Sequence, residues 1–176
     1  AMATHGRTGL SRVVRGSVAE RVLRECPVPL LLANPHALSK GGDELRISRI
    51  LVPLDGSDTS AQILPLVEEV AKLYGSKVLL MRAEWAMAAT SGYPMGGSVP
   101  LRSLEEAKAL LEPPAELMRK AGIDVETRAV FGLEAAEILD AAEREEADLV
   151  AMCTHGRSGI TRWVFGSVAE SVLRHC

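Results

Sequence analysis

With 176 residues, 47% of them apolar, the chain can bury one sizeable core and a fragment of a second, and a formal charge of −3 gives no general attraction for nucleic acid or an anionic membrane. Aromatic residues make up only 3%, so stacking platforms for single strands are excluded as well, and any phosphate recognition must be local. No apolar run approaches the length of a membrane span and no signal peptide is legible, so the expected location is cytoplasmic.

Taken in order, residues 1–36 read as a glycine-containing loop, a helix from Ser17 to Glu25, and an apolar strand from Val28 to Ala33 behind Pro27. Asn34 to Leu45, with Pro35, Ser39, Gly41 and Gly42, is a polar connector. Arg46 to Leu54 is predicted as a buried strand closed by Asp55, Gly56 and Ser57. Ser57 or Asp58 caps a helix that turns Ile63, Leu64, Val67, Val70 and Ala71 inward and stops at Gly75. Lys77 to Ala83 is the next strand. Glu84 to Pro100 is a long loop whose Gly92, Pro94, Gly96 and Gly97 suit either a lid or a variable insertion.

Ser103 to Ala121 is helical in pattern, with Pro113 and Pro114 expected to kink or interrupt it, and Gly122 ends it. Asp124 to Val130 is a strand and Glu134 to Glu145 a helix with Ala135, Ile138, Leu139 and Ala142 inward. Asp148 to Met152 is a strand, and Ser167 to Leu173 has helical spacing. Alternating strands and helices imply a parallel sheet covered on both faces, with ligands at the carboxyl ends of its strands near the switch point.

The stretch Met152 to Glu170 carries the clearest chemical signal. Gly156 and Gly159 allow successive N–H groups to line one hollow, and Gly166 and Ser167 stand where a helix begins. Such a segment binds phosphate through backbone donors and the positive helix end, or simply makes a turn with Ser167 as its cap. The stretch is duplicated. Residues 1–26 align with 151–176 at an offset of 150, with 18 of 26 pairs identical, and His5, Gly6, Gly16 and Ser17 repeat His155, Gly156, Gly166 and Ser167. A period of 150 is one domain length, so a domain is duplicated. Cys26, Cys153 and Cys176 have no metal-ligand or disulfide spacing, and no histidine pair has the spacing of a helical zinc site. No metal site and no catalytic residue is assigned.

Gly156, nine residues, then Gly166-Ser167, behind the strand Asp148 to Met152, resembles the nucleotide-binding signature of the universal stress protein family. Thr154-His155-Gly156-Arg157 and the opening Ile50-Leu51-Val52-Pro53-Leu54-Asp55-Gly56-Ser57 are similar to that family too. The resemblance implies a Rossmann-like α/β fold with an open five-stranded parallel sheet, order 3-2-1-4-5, and helices on both faces. It divides the chain into the end of a first repeat (1–36), a linker (37–46) and a second domain (47–176) lacking its own fifth strand. Val28 to Ala33 is then expected to fill the edge beside strand four, in cis or from another chain, and a homo-oligomer is expected, a dimer with or without exchange of the 1–36 arm.

As function, the resemblance implies a regulatory stress-response protein that binds adenine nucleotide, as ATP, ADP or AMP, with Mg²⁺ as an accompanying ion. Phosphates would meet Gly156, Arg157, Gly166, Ser167 and Val168. Pro53, Asp55 and Ala83 would lie around adenine and ribose, with Met152 and His155 nearby. Asp55 can equally finish a turn or cap the next helix, Arg157 can be an exposed surface residue, and His155 can simply pack. Family members that bind ATP usually have glycine where this chain has Cys153, and Ala3 in the other copy. A protein that works through its surfaces without nucleotide is therefore a second reading. A slow ATP hydrolase or self-phosphorylating protein is a third, although GxxxxGK[ST] is absent.

Overall fold

The computed structural model describes residues 2–3, 26, 28–33, 46–84, 103–154 and 166–175. The helix expected over 17–25, the long loop after residue 84 and most of the glycine loop lie outside the described residues. Among these residues the strands are β1 (Met2–Ala3), β2 (Leu32–Ala33), β3 (Arg49–Pro53), β4 (Lys77–Glu84), β5 (Val125–Phe131) and β6 (Leu149–Val150). The helices are α1 (Asp58–Ala61), α2 (Leu64–Tyr74), α3 (Leu104–Ala109), α4 (Glu112–Lys120), α5 (Glu134–Arg144) and α6 (Ser167–His175).

β3 to β6 form one parallel sheet in the order β5-β4-β3-β6. The register runs Arg49 to Lys77 and Pro53 to Met81 between β3 and β4, Val78 to Val125 between β4 and β5, and Leu51 to Val150 between β3 and β6. Side chains alternate across the pleat, so consecutive apolar residues enter opposite cores. Ile50, Val52, Leu54, Val78 and Leu80 pack with Val67 and Ala71 of α2, Leu111, and Ala115 and Met118 of α4. Leu51, Leu79 and Met81 pack on the other face with Ile138 and Ala141 of α5 and Val172 of α6. The near-continuous apolar strands are thus those of a sheet buried on both sides.

The expected five-stranded order is corrected to four strands, 3-2-1-4 in the same counting. The segment expected to fill the edge beside strand four does not do so in cis. Its Leu32 and Ala33 pair in parallel with Met2 and Ala3, and those two residues are the repeat counterparts of Met152 and Cys153. The physical reason is proximity along the chain: closing the shorter loop to β1 loses less chain entropy than reaching β6 across the intervening domain. Among the described residues no strand pairs with the outer side of β6, which is two residues long, against the predicted five. Asp148 instead fastens β6 to the start of β3, its Oδ2 accepting the N–H groups of Ser48 at 2.7 Å and Arg49 at 3.0 Å.

Local chemistry explains the helix ends. Ser57 caps α1 by accepting the Ser60 N–H at 3.1 Å, and Ser103 forms a reciprocal capping box with Glu106 at the start of α3. The predicted helix from Ser103 to Ala121 is two helices, broken at Leu110 and Leu111, with Pro113 in the first turn of α4, where its missing N–H costs no intrahelical bond. The helix after Ser57 is also interrupted, at Gln62 and Ile63, just before Pro65, a break the apolar periodicity did not reveal. Gly75 ends α2 in a left-handed conformation, φ 67°, as its position predicts.

Candidate functional site

The carboxyl ends of β3, β4 and β6 meet where the parallel order changes direction, which is where an open α/β sheet leaves a crevice. Pro53 ends β3 and is half-buried opposite Met81, and continuing the β3–β6 register by two residues brings Met152 level with Pro53. The chain then turns at Gly56, φ 79°, into α1. Asp55 shapes that turn: its Oδ1 accepts the Ser57 N–H at 2.9 Å and the Ser57 hydroxyl at 2.6 Å. The turn role is therefore present, and it leaves the carboxylate half-buried at the strand end. Partial burial pushes the Asp55 carboxyl up, but the Ser57 hydroxyl and amide, with Ser60 and the Arg82 charge, outweigh it and hold the group below the usual carboxylate range.

Across the crevice, Cys153 follows β6. Its thiol lies 3.7 Å from the Ser60 carbonyl, which it faces as a weak donor. Burial pushes the thiol up, and the nearby Asp55 charge acts in the same direction against a contact with the Ile63 backbone. The group is thus a neutral, poorly nucleophilic side chain beside Asp55. The Gly166 N–H donates to the Thr154 carbonyl at 2.8 Å, which holds Gly166 beside the end of β6. The Gly166 carbonyl accepts the Glu170 N–H at 2.9 Å, which opens α6 with Ser167 exposed in its first turn. The N-terminal end of this nine-residue helix therefore stands beside Thr154.

Among the predicted site residues, Pro53, Asp55, Met152, Gly166 and Ser167 are brought to this end of the sheet. Met152 and Val168 also pack on the Leu51 and Met81 core, so both serve the interior as well. Ala83 is half-buried near the end of β4, opposite Val130. His155, Gly156 and Arg157 lie outside the described residues.

Two residues of the site were not singled out from sequence. Ser60 presents its carbonyl to Cys153, and Arg82 is 1% exposed at the end of β4, its Nε 2.5 Å from Glu84 Oε1. The signal for Arg82 was available: a lone cation interrupting the apolar run of Val78 to Ala83 cannot be buried without a polar purpose. Among the described residues no group of three or more His, Cys, Asp or Glu side chains could hold a metal ion, and no helix is long and apolar enough to cross a membrane.

The sequence profile of the universal stress protein family matches residues 1–34 and 46–176. The universal stress protein MJ0531 of Methanocaldococcus jannaschii is 31% identical over 146 residues, 80% of this chain and 85% of the relative. The fold is similar to the solved structure of MJ0577, with a TM-score of 0.61 and 25% identity over 74% of this chain and 90% of that one. It is similar also to a universal stress protein crystallised in complex with cAMP, with a TM-score of 0.55 and 23% identity over 74% of this chain and 91% of that one. Matched along nearly its whole length by the profile, this chain belongs to the universal stress protein family.

Proposed function

We propose that the chain is a regulatory protein of the stress response that binds an adenine nucleotide, ATP, ADP or AMP, at the carboxyl ends of β3 and β6. The observation that supports this reading is the Thr154–Gly166 hydrogen bond, which holds Gly166 and the start of α6 at the end of the sheet that Asp55 occupies. Asp55 and Gly166 thereby share one end of the sheet. The nucleoside lies against Pro53, Asp55, Ala83 and Met152. The phosphates meet Gly156, Arg157, Gly166, Ser167 and Val168, with His155 nearby, where the helix dipole and backbone N–H groups favour negative charge. That a universal stress protein of the same fold holds cAMP makes an adenine nucleotide the first ligand class to test. Mg²⁺, if used, arrives with the phosphates, since the described residues offer no carboxylate cluster of their own.

We further infer that residues 1–36 are the end of a first repeat, joined by 37–46 to a domain at 47–176, and that the protein is a homodimer built along the β6 edge, where the 1–36 arm of a second copy would add a strand. Compact monomer alone at micromolar concentration refutes the dimer.

The nucleotide reading is tested by denaturing freshly purified protein and identifying the released nucleotide by chromatography and mass, with Gly166→Ala in parallel. Near-stoichiometric adenine nucleotide, lost in the variant, is the expected result. No nucleotide, and none taken up from ATP with Mg²⁺, refutes it. One observation favours a second reading, action through surfaces without nucleotide: the Cys153 side chain stands beside Asp55 and Ser60 in the crevice. Cys153→Gly decides between them, because affinity that arises only in the variant means that the thiol closes the site.

A further inference from the structure

Arg82 is a charged side chain 1% exposed, with its Nε donor spent and both terminal nitrogens unspent. Its Nε donates to Glu84 at 2.5 Å, whereas Nη1 and Nη2 are buried with no hydrogen-bond partner among the described residues. Buried donors are almost always satisfied, and a buried guanidinium with two idle nitrogens is costly to hold. Its place is specific. The Gly56 turn crosses over the guanidinium: a Cβ added at Gly56 would collide with Nη1 and lie 3.3 Å from Cζ and 3.7 Å from Nη2. Gly56 itself is exposed, so the buried nitrogens lie one glycine away from solvent, at the end of the sheet where Asp55 stands and within range for the Arg82 charge to act on the Asp55 carboxylate.

We propose that Arg82 is a ligand-recognition residue of the crevice, its Nη1 and Nη2 reserved for an uncharged acceptor on the nucleoside part of the ligand. This rests on the adenine-nucleotide reading above. The choice of an uncharged acceptor follows from local charge. Arg82 is flanked by the carboxylates of Asp55 and Glu84, so the cluster carries a net −1, and a phosphate brought to it would face two like charges. A ring nitrogen or hydroxyl oxygen meets no such repulsion and satisfies the same donors. Asp55, an acceptor, then sits beside Arg82, a donor, so that together they read a ligand edge presenting both a donor and an acceptor. The phosphates are left to the α6 end of the crevice.

The test titrates wild type, Arg82→Lys and Arg82→Met with adenosine, AMP and inorganic phosphate by calorimetry, with folding checked by thermal unfolding. Loss of charge-assisted donors lowers adenosine and AMP affinity by the same factor, about tenfold to a hundredfold, and leaves the ratio between them unchanged. A second measurement needs no variant: in ¹⁵N-labelled wild type, the Arg82 Nε–Hε resonance moves on adding adenosine or AMP and stays fixed with inorganic phosphate. Folded variants that bind as wild type does, a loss confined to AMP, or a resonance that moves only with phosphate each overturn the proposal. Wild type that binds neither adenosine nor AMP and takes up no ATP removes the adenine-nucleotide reading and this one together; uptake of ATP without either removes this one alone. Binding by wild type with an unmoved resonance removes the role of Arg82 alone.

Discussion

Replacing Gly56 by alanine tests how tightly the Asp55 turn is seated on Arg82. Two costs are legible. At φ 79° an L side chain is strained, about 1–2 kcal/mol, and the added Cβ collides with Arg82 Nη1, an overpacking cost of about 1–3 kcal/mol because the guanidinium is buried and tied to Glu84. The sum, about 2–5 kcal/mol, corresponds to a fall in melting temperature of about 6–15 °C for a domain of this size. Gly75→Ala separates the two costs. Gly75 has φ 67° but nothing within 4 Å of its Cβ position, so that variant carries strain alone, about 1–2 kcal/mol. Urea unfolding followed by circular dichroism of both variants, of Arg82→Ala, and of Gly56→Ala combined with Arg82→Ala closes a double-mutant cycle. The expected coupling between positions 56 and 82 is about 1–3 kcal/mol, the collision that vanishes when the guanidinium is removed. Equal losses for the two glycine variants, with no coupling to Arg82, would refute the seating argument.

Asp55 gives a dependence on pH. Its folded-state pKa is held below the unfolded value by Ser57, so the carboxylate stabilises the fold above about pH 4 and that contribution is lost as the pH falls through the folded-state value. Asp55→Asn is expected to be less stable than wild type at neutral pH, with the gap narrowing in acid; a gap that stays constant from pH 7 to pH 3 contradicts this. In the core, Leu80 of β4 is fully buried against the α2–α4 face, so Leu80→Ala costs about 2–5 kcal/mol, whereas Leu117, 68% exposed on α4, costs under about 0.5 kcal/mol when changed to alanine. Denaturation midpoints that fall equally for the two leucines would show that the two-faced core is wrongly assigned.

Much of this protein is written in local pattern. Apolar runs at Arg49 to Pro53 and Lys77 to Glu84 can bury both faces only inside a parallel sheet, the 3.6-residue spacing from Leu64 to Tyr74 requires a helix, and Ser57, Ser103 and Gly75 mark helix ends because capping depends on groups within a few residues. The duplicated glycine segment is legible for the same reason, since it compares the chain only with itself. Other features depended on partners distant in sequence. That Val28 to Ala33 joins Met2 and Ala3 instead of β6 follows from competition between two parallel partners, and local propensity is identical for both outcomes. That Asp55 spends one oxygen on Ser57, that Cys153 faces Ser60, and that Arg82 lies beneath Gly56 follow from how three strand ends converge. Periodicity assigns each of those residues to a strand or a turn, but the distance between them, and hence the chemistry they share, exists only once the sheet has brought residues 55, 82 and 153 to one end.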